Sequence, residues 1–378
     1  MLKQQNICRN CILPDGFLGV HLNSEGLCDF CSDHEHKNIN WSRIKIDSKI
    51  REKALIDWNR IVKNMQKNHE NVQYDCILGY SGGKDSTALL DYLVNNLGLN
   101  PLAVTSDTGF MTQIAKENMK DTLANINVDH VLIENCIPTF TKLYKWHFYN
   151  HKSNDIFLTR VICDSCSDLI HSIVVKLAIK KEIPYILFGY SPDQIFRYYY
   201  EIPRNEIIHK WKPMLLFSNR FFDKSDSEWY LNDEELKIEY LPRVLLPYHV
   251  IPYKEQKIVN LVEAKNYIKK GHADPLLTNC NVVHAATFYN LHRYGGILYA
   301  YQYAELVRQN PQERKKWLRI LGIVVPLILK NKFKEKEVSD FLESISLSKS
   351  KLLELIYTQI EQDPKKRQIE SIIHLFEK

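Results

Sequence analysis

Ser81, Gly82, Gly83, Lys84, Asp85 and Ser86 form the chain's densest run of anion-handling groups. Two glycines clear Cβ atoms from the path of an approaching phosphate. Two serine hydroxyls donate hydrogen bonds and the lysine adds charge. If a helix begins here, its first amides complete a cradle for phosphate. The run is not a Walker loop, which needs Gly, four residues, then Gly-Lys-Ser/Thr, and it is not a dinucleotide fingerprint. A plain glycine turn between strand and helix is the alternative.

A second constellation is made of sulfur. Cys8, Cys11, Cys28 and Cys31 are spaced as two pairs, each separated by two residues, with sixteen residues between the pairs. Four thiolates in two knuckles can close a tetrahedron around zinc, and this spacing reads as such a site. Bound zinc would supply folding energy that so short a segment lacks. Cys163 and Cys166 make a third pair, and Cys280 stands far along the chain. These three are candidates for thiol chemistry. A second structural metal site, or inert packing thiols, are the other readings. Cys76 and Cys136 fall in or next to apolar strands and read as packing residues.

These groups need positioning elements. An apolar run over residues 74–80 ends at the glycine loop. A helix follows, with Leu89, Leu90, Leu93, Val94 and Leu97 as its buried stripe and Gly98 as its stop. Residues 101–107, 130–135 and 185–191 read as further strands, with helices near 114–124 and over 167–181 between them. Strands alternating with helices imply a parallel sheet covered on both faces. In that arrangement Cys163 and Cys166 fall just before a helix, near the carboxyl ends of the strands, where such sheets bind ligands. Trp41, Ile44, Ile50, Leu55, Trp58, Ile61 and Val62 mark an earlier helix over 41–70. Residues 196–250, rich in aromatics, Pro and charge, read as an insertion or a substrate-facing segment. Beyond Lys254 the chain turns helical through Ile258, Leu261, Val262, Tyr267 and Ile268. Breaks are expected near Gly295–Gly296, Pro311 and Pro326, and the tail over 335–378 reads as two helices broken near Asp363–Pro364.

The loop in its strand–loop–helix setting resembles the PP-loop of the N-type ATP pyrophosphatases, in the adenine nucleotide α-hydrolase-like superfamily. That resemblance covers roughly residues 74–195. It implies an α/β fold, a parallel doubly wound sheet of the nucleotide α-hydrolase-like (HUP) type. It implies ATP, with magnesium, gripped by Ser81, Gly82, Gly83, Lys84, Asp85 and Ser86, with Asp85 among the catalytic groups. A substrate oxygen attacks the α-phosphate, pyrophosphate leaves, and the adenylated carbon then accepts sulfur or nitrogen as AMP departs. The same resemblance turns the strand end at Thr105 to Asp107 toward the adenosine, although Asp107 reads equally well as a turn cap.

Two branches of that superfamily are suggested. The first 135 residues, with CRNCILPD, NSEGLCDFC and YDCILGYSGGKDST in that order, look like the N-acetyl sugar amidotransferases. These convert acetamido to acetamidino groups in surface-polysaccharide sugars, with ammonia from a glutaminase partner. Cys163 and Cys166 with the distant Cys280 resemble instead the PP-loop thiolation enzymes, which implies either that the three thiolates hold an iron–sulfur cluster of the 4Fe–4S type or that one carries a persulfide and a second releases the sulfur by disulfide exchange. Sulfur is the leading expectation for the incoming atom, supplied by a sulfur donor, and nitrogen the second. The acceptor expected is a nucleobase, a sugar or an RNA. A non-catalytic nucleotide- or RNA-binding protein is a third class.

The composition of the 378 residues agrees with a globular chain: 45% apolar, 25% charged, net charge +5. That balance excludes a mostly disordered chain. The longest apolar stretches, such as residues 321–329, reach about half the roughly 20 residues a membrane-spanning helix needs. The first residues hold no apolar signal core, so a cytoplasmic location is expected. The expected organisation is a zinc knuckle over 1–40, a helical linker over 41–72, an ATP-binding α/β domain over 73–275 with its insertion near 196–250, and a helical region over 276–378. A homodimer is compatible with all of this.

Several single residues are also candidates. Asp193 follows a strand end, where a cation or substrate could meet it, although a turn Asp after Pro192 reads better. Arg197, Arg204, Lys210 and Lys212, among Tyr198, Tyr199, Tyr200 and Trp211, could form a basic aromatic surface for a nucleotide or sugar phosphate, although a solvated face with a few anchoring aromatics is the commoner reading. His272, His284 and His292 lie near Cys280, where a satisfied polar role is the commoner one.

Overall fold

The computed structural model describes residues 7–15, 20–32, 48–152, 157–192, 199–210, 221–273, 279–296 and 300–362. In chain order the helices and strands are α1 (Asp29–Ser32), α2 (Ser48–Asn68), β1 (Cys76–Gly79), α3 (Lys84–Asp91), β2 (Pro101–Ser106), α4 (Gln113–Asn125), β3 (His130–Ile133), α5 (Ile137–Asn150), α6 (Leu158–Lys180) and β4 (Tyr185–Phe188). They continue with α7 (Arg204–Lys210), α8 (Lys224–Ser227), α9 (Asp233–Lys237), β5 (Arg243–Leu245), α10 (Glu255–Ala264), α11 (Val282–Tyr294), α12 (Ala300–Gln309), α13 (Arg314–Leu329), α14 (Glu335–Ser344) and α15 (Lys349–Glu361). Among the described residues no helix is long and apolar enough to cross a membrane.

The five strands form one sheet in the order β3-β2-β1-β4-β5, and every pairing is parallel. Successive side chains of a strand point to opposite faces, and here both faces are apolar. Cys76, Leu78, Ala103, Leu187 and Leu245 face one layer with Trp58 of α2, Leu89 and Leu90 of α3, Met119 of α4 and Val262 of α10. Ile77, Leu102, Val104, Ile186 and Val244 face the other, with Val174, Val175 and Ala178 of α6 and Leu236 of α9. This double coverage is why the strands read as continuous apolar runs.

Strand order reverses at β1. The chain moves outward through β2 and β3, then returns to place β4 and β5 on the other side. The carboxyl ends of β1 and β4 therefore flank the switch point, where an open α/β sheet forms its ligand crevice. The glycine loop follows β1 directly.

Four expectations change. The helix expected over 167–181 begins nine residues earlier, at Leu158, so Cys163 and Cys166 lie inside α6 rather than before it. Residues 196–250 are not merely an insertion, because they contribute β5, a three-residue strand. Pro326 sits within α13 instead of breaking it. The missing proline N–H removes one bond from the helix ladder. In α2, Ile50 and Leu55 are 53% and 40% exposed, whereas Trp58, Ile61, Val62 and Met65 are buried. Trp41 and Ile44 lie outside the described residues, as do 363–378 of the expected tail. Gly98 stops the α3 helix as expected, with φ +64° and its N–H bonded to the Val94 carbonyl. The five residues after α3 form a π-helical turn before that stop.

The chain divides into two compact units. One holds residues 41–142 and 165–280: the whole sheet, α2 and the glycine loop. The other holds residues 1–40, 143–164 and 281–378, so the cysteine knuckle and the carboxy-terminal helices belong together. The expected helical linker over 41–72 thus supplies part of the sheet unit, through the packing of Trp58, Ile61 and Met65. In the second unit α11 packs against α13, α14 and α15.

Candidate active site and metal centre

In the sheet unit, α3 starts at Lys84 with Gly83 as its N-cap, and no side chain caps it. The first-turn amides of such a helix have no internal partners and carry the positive end of its dipole. Gly82 has φ +71°, and a Cβ there would collide with the Ala115 carbonyl oxygen of α4. Only glycine allows this turn without strain. Ser86 Oγ lies 3.2 Å from Ser81 Oγ, accepts from the Ser81 N–H at 3.3 Å and donates to the Gly83 carbonyl at 3.1 Å. The loop is thus preshaped by its own hydroxyls. Asn279 Nδ2 donates to Ser81 Oγ from the far end of the unit, at 3.5 Å.

Lys84 Nζ is held 2.8 Å from Asp85 Oδ2 and 3.4 Å from Glu255 Oε1, with its side chain 13% exposed. Burial works against its charge, but the two carboxylates outweigh burial and hold the ammonium above the ordinary lysine value. Asp85 is held from its other side as well. The Tyr253 hydroxyl donates to Asp85 Oδ1 at 2.9 Å, and the Tyr248 hydroxyl to the Asp85 carbonyl at 2.9 Å. Burial, followed by the Asp85 charge, pushes both phenols well above their ordinary value, so both remain donors.

The arrangement offers an anion one helix N-terminus, two hydroxyls and an ammonium at the switch point. Tyr248, Tyr253, Glu255 and Asn279 were not found in the sequence. They lie 160 to 200 residues from the loop, and no local pattern marks them. The one weak signal is the tyrosine pair inside YHVIPYKE, ahead of α10.

Asp107 is buried at the end of β2, and its Oδ1 accepts from the Gly109 N–H at 2.8 Å. That bond closes a turn. Thr105 Oγ1 donates to the Tyr80 carbonyl at 2.7 Å and lies 2.8 Å from His130 Nε2, tying β2 to β1 and β3. Cys280 is half-buried and forms an isolated antiparallel bridge with Met111. Its neighbour Asn279 touches the glycine loop, so Cys280 is one residue from that contact. Cys163 and Cys166 are half-buried and stand one turn apart on α6. Cys166 precedes the end of α6 by fourteen residues, which is about 21 Å of helix. A four-residue strand such as β4 is only about 13 Å long, so Cys166 stands toward the carboxyl edge of the sheet. Cys163 falls in the span of the second unit, and Cys166 and Cys280 in that of the first.

The second unit carries the metal candidate. The sulfurs of Cys8, Cys11, Cys28 and Cys31 all lie within 4.8 Å of one another and are buried. Cys11 Sγ and Cys28 Sγ are 3.6 Å apart. Zinc–sulfur bonds of 2.3 Å in a tetrahedron put sulfurs about 3.8 Å apart, so the set fits zinc. Backbone amides donate to the sulfurs, from Cys28 to Cys8 at 3.3 Å and from Leu13 to Cys11 at 3.5 Å. Hydrogen bonding from Cys11, then Cys28, drives Cys8 far below an ordinary thiol. Cys31 is lowered to about 7, with Cys11 again the largest cause. Arg314 of α13 donates to the Cys11 and Cys8 carbonyls, both at 2.8 Å. Phe30 of α1 meets Tyr301 edge-on, and Arg308 stacks over it. These contacts fasten the knuckle to α12 and α13. Among the described residues these four cysteines are the set gathered at metal distance.

Of the remaining candidates, His272 buries an Nδ1 without a hydrogen-bond partner, and others have structural partners or lie outside the described residues. Asp193, Arg197, Tyr198, Trp211 and Lys212 lie outside the described residues, as does the side chain of Lys210. Arg204 caps a carbonyl pair at Ile238 and Glu239. His284 meets the Phe333 ring edge-on, and His292 lies tilted on Phe288.

No family model matches the chain. An uncharacterized protein of Methanocaldococcus jannaschii is 30% identical over 140 residues, which is 37% of this chain. The chain spans about half that relative's length, at 46%. Among solved structures the chain is similar to the NH3-dependent NAD synthetase of Campylobacter jejuni in complex with nitrate, at 15% identity, TM-score 0.33, and coverage of 77% of this chain and 95% of that one. It is similar to the U34-tRNA thiolase of Methanococcus maripaludis with its 4Fe–4S cluster, at 13% identity, TM-score 0.33, and coverage of 90% and 88%. It is also similar to NMN synthetase from Francisella tularensis, at 13% identity, TM-score 0.33, and coverage of 84% and 95%.

Proposed function

We propose that this chain is an ATP-dependent, AMP-forming enzyme that replaces an acceptor oxygen. The observation that carries the reading is the uncapped start of α3 at the sheet's switch point, with the half-buried Lys84 beside it. ATP enters as its magnesium complex. The amides after Gly83, the Ser81 and Ser86 hydroxyls and Lys84 hold the outgoing phosphates. The acceptor oxygen attacks the α-phosphorus, and the bond to the bridging oxygen breaks as pyrophosphate leaves. The chain contributes alignment and charge stabilisation, which is most of what such a step needs. A nucleophile then attacks the activated carbon, and AMP departs with the acceptor oxygen.

Two incoming atoms have support. Sulfur is supported by Cys280, one residue from the Asn279 contact with Ser81, and by the thiol pair on α6. A sulfur donor is then the partner, and a nucleobase, alone or in RNA, is a fitting acceptor. Nitrogen is supported by the likeness of the first 135 residues to the sugar amidotransferases. A glutaminase is then the partner and an acetamido sugar the acceptor. In both readings zinc on Cys8, Cys11, Cys28 and Cys31 is structural, and when bound it cross-links the knuckle.

The test is product analysis with α-labelled ATP and candidate acceptors. AMP and pyrophosphate in equal amounts, lost in Ser81→Ala, support the reading. ADP and phosphate as the products would sink it.

A further inference from the structure

We propose that Tyr253 is a positioning residue, which fixes the Asp85 carboxylate so that Oδ2 holds Lys84 over the glycine loop. The inference rests on the adenylation reading and extends it to a residue outside the loop.

The geometry is specific. Asp85 Oδ1 takes the Tyr253 hydroxyl at 2.9 Å, while Oδ2 takes Lys84 Nζ at 2.8 Å. The two oxygens of one carboxylate are therefore assigned to two different partners. Without the phenol, rotation about the carboxylate would let Oδ1 and Oδ2 compete for the ammonium. Tyr248 fixes the backbone of the same residue and packs edge-on against the Tyr253 ring, with centroids 5.1 Å apart. The Ser191 side chain also acts on the Tyr253 phenol. Ser191 follows β4, and Asp85 follows β1. One phenol thus sits between the two segments that flank the switch point. Glu255, two residues along at the start of α10, reaches Lys84 at 3.4 Å. The Tyr253 segment therefore sets the lysine from two sides.

A residue acting in this way should affect turnover more than nucleotide binding. The amides and hydroxyls that bind phosphate are untouched by its loss. A charge-assisted hydrogen bond is lost, and lysine alignment in the transition state goes with it.

The experiment is pyrophosphate release by the full chain carrying Tyr253→Phe, with Ser81→Ala in parallel. The expected kcat is about ten- to a hundredfold lower, with the KM for ATP within about twofold of the parent. Placing p-aminophenylalanine at 253 restores a donor at the ring tip and should recover most of kcat. That rescue separates positioning from folding. A kcat unchanged in Tyr253→Phe, a change confined to KM, or failure of the amino analogue to recover turnover would overturn the proposal. If Ser81→Ala keeps the parent rate, the adenylation reading fails instead, whatever Tyr253→Phe does.

Discussion

Gly189 lies directly against Ser86. A Cβ at 189 would come within 2.8 Å of the Ser86 Cα and 2.9 Å of its nitrogen. The end of β4 thus braces the first turn of α3 through backbone alone, and both neighbours of the switch point shape the loop.

Gly189→Ala should therefore displace the loop. Backbone cannot yield as a flexible side chain does, so overpacking is expected to cost about 1–3 kcal/mol. Affinity for ATP should fall by at least about tenfold, an energy of about 1.4 kcal/mol. Thermal melts and nucleotide titration read the two effects separately. Undiminished affinity would show that the loop does not depend on this brace.

The knuckle should hold one zinc per chain. Chelation, or Cys28→Ser, should lower the melting temperature, because metal binding and folding are coupled in such small segments. Arg314→Ala removes two hydrogen bonds to the knuckle carbonyls, each worth about 0.5–1.5 kcal/mol, and should speed zinc loss to a chromogenic chelator. Metal analysis that finds no zinc, with no change in melting on chelation, would contradict this.

Much of this was readable in the sequence. β1, β2 and β4 are apolar because both their faces are covered, and the loop and the amino-terminal cysteines announce themselves by local spacing. β5 was hidden because three residues, Arg243 to Leu245, carry no period, and its pairing with β4 is long-range. The first turns of α6 were missed because Cys163, Asp164 and Ser165 interrupt the apolar stripe. Tyr253 and Glu255 are a tyrosine and a glutamate like many others until the fold brings them to Asp85.

Acid should destabilise the protein before its carboxylates titrate. Burial holds His147, His249 and His284 each at about 4, with the His151 charge adding to the effect at His147 and that of Lys334 at His284. The unfolded value is 6.5, so below it the unfolded chain binds more protons. The stability these residues give is complete above pH 6.5 and is lost as pH falls toward 4, at up to about 1.4 kcal/mol per pH unit for each histidine. Chemical denaturation at pH 7.0, 6.0 and 5.0 should show the decline, and His284→Gln should make it shallower. A flat profile over that range would contradict the burial of these rings.

Cys280→Ala and Cys163→Ala separate the two incoming atoms. If sulfur is transferred, each variant should still consume ATP while thiolated product falls by about a hundredfold or more, as loss of a group that acts chemically does. If nitrogen is transferred, both should keep amidated product within about threefold, as changes away from the reacting atoms do. Mass spectrometry of the acceptor decides between them.

The most direct test of the account needs no acceptor. Binding of α,β-methylene ATP with magnesium is measured by calorimetry on the full chain and on Ser81→Ala and Lys84→Ala. The account expects one site per chain in the parent, weakened about tenfold or more in each variant. Equal binding by all three proteins, or none by the parent, would contradict the claim that the loop after β1 grips a triphosphate.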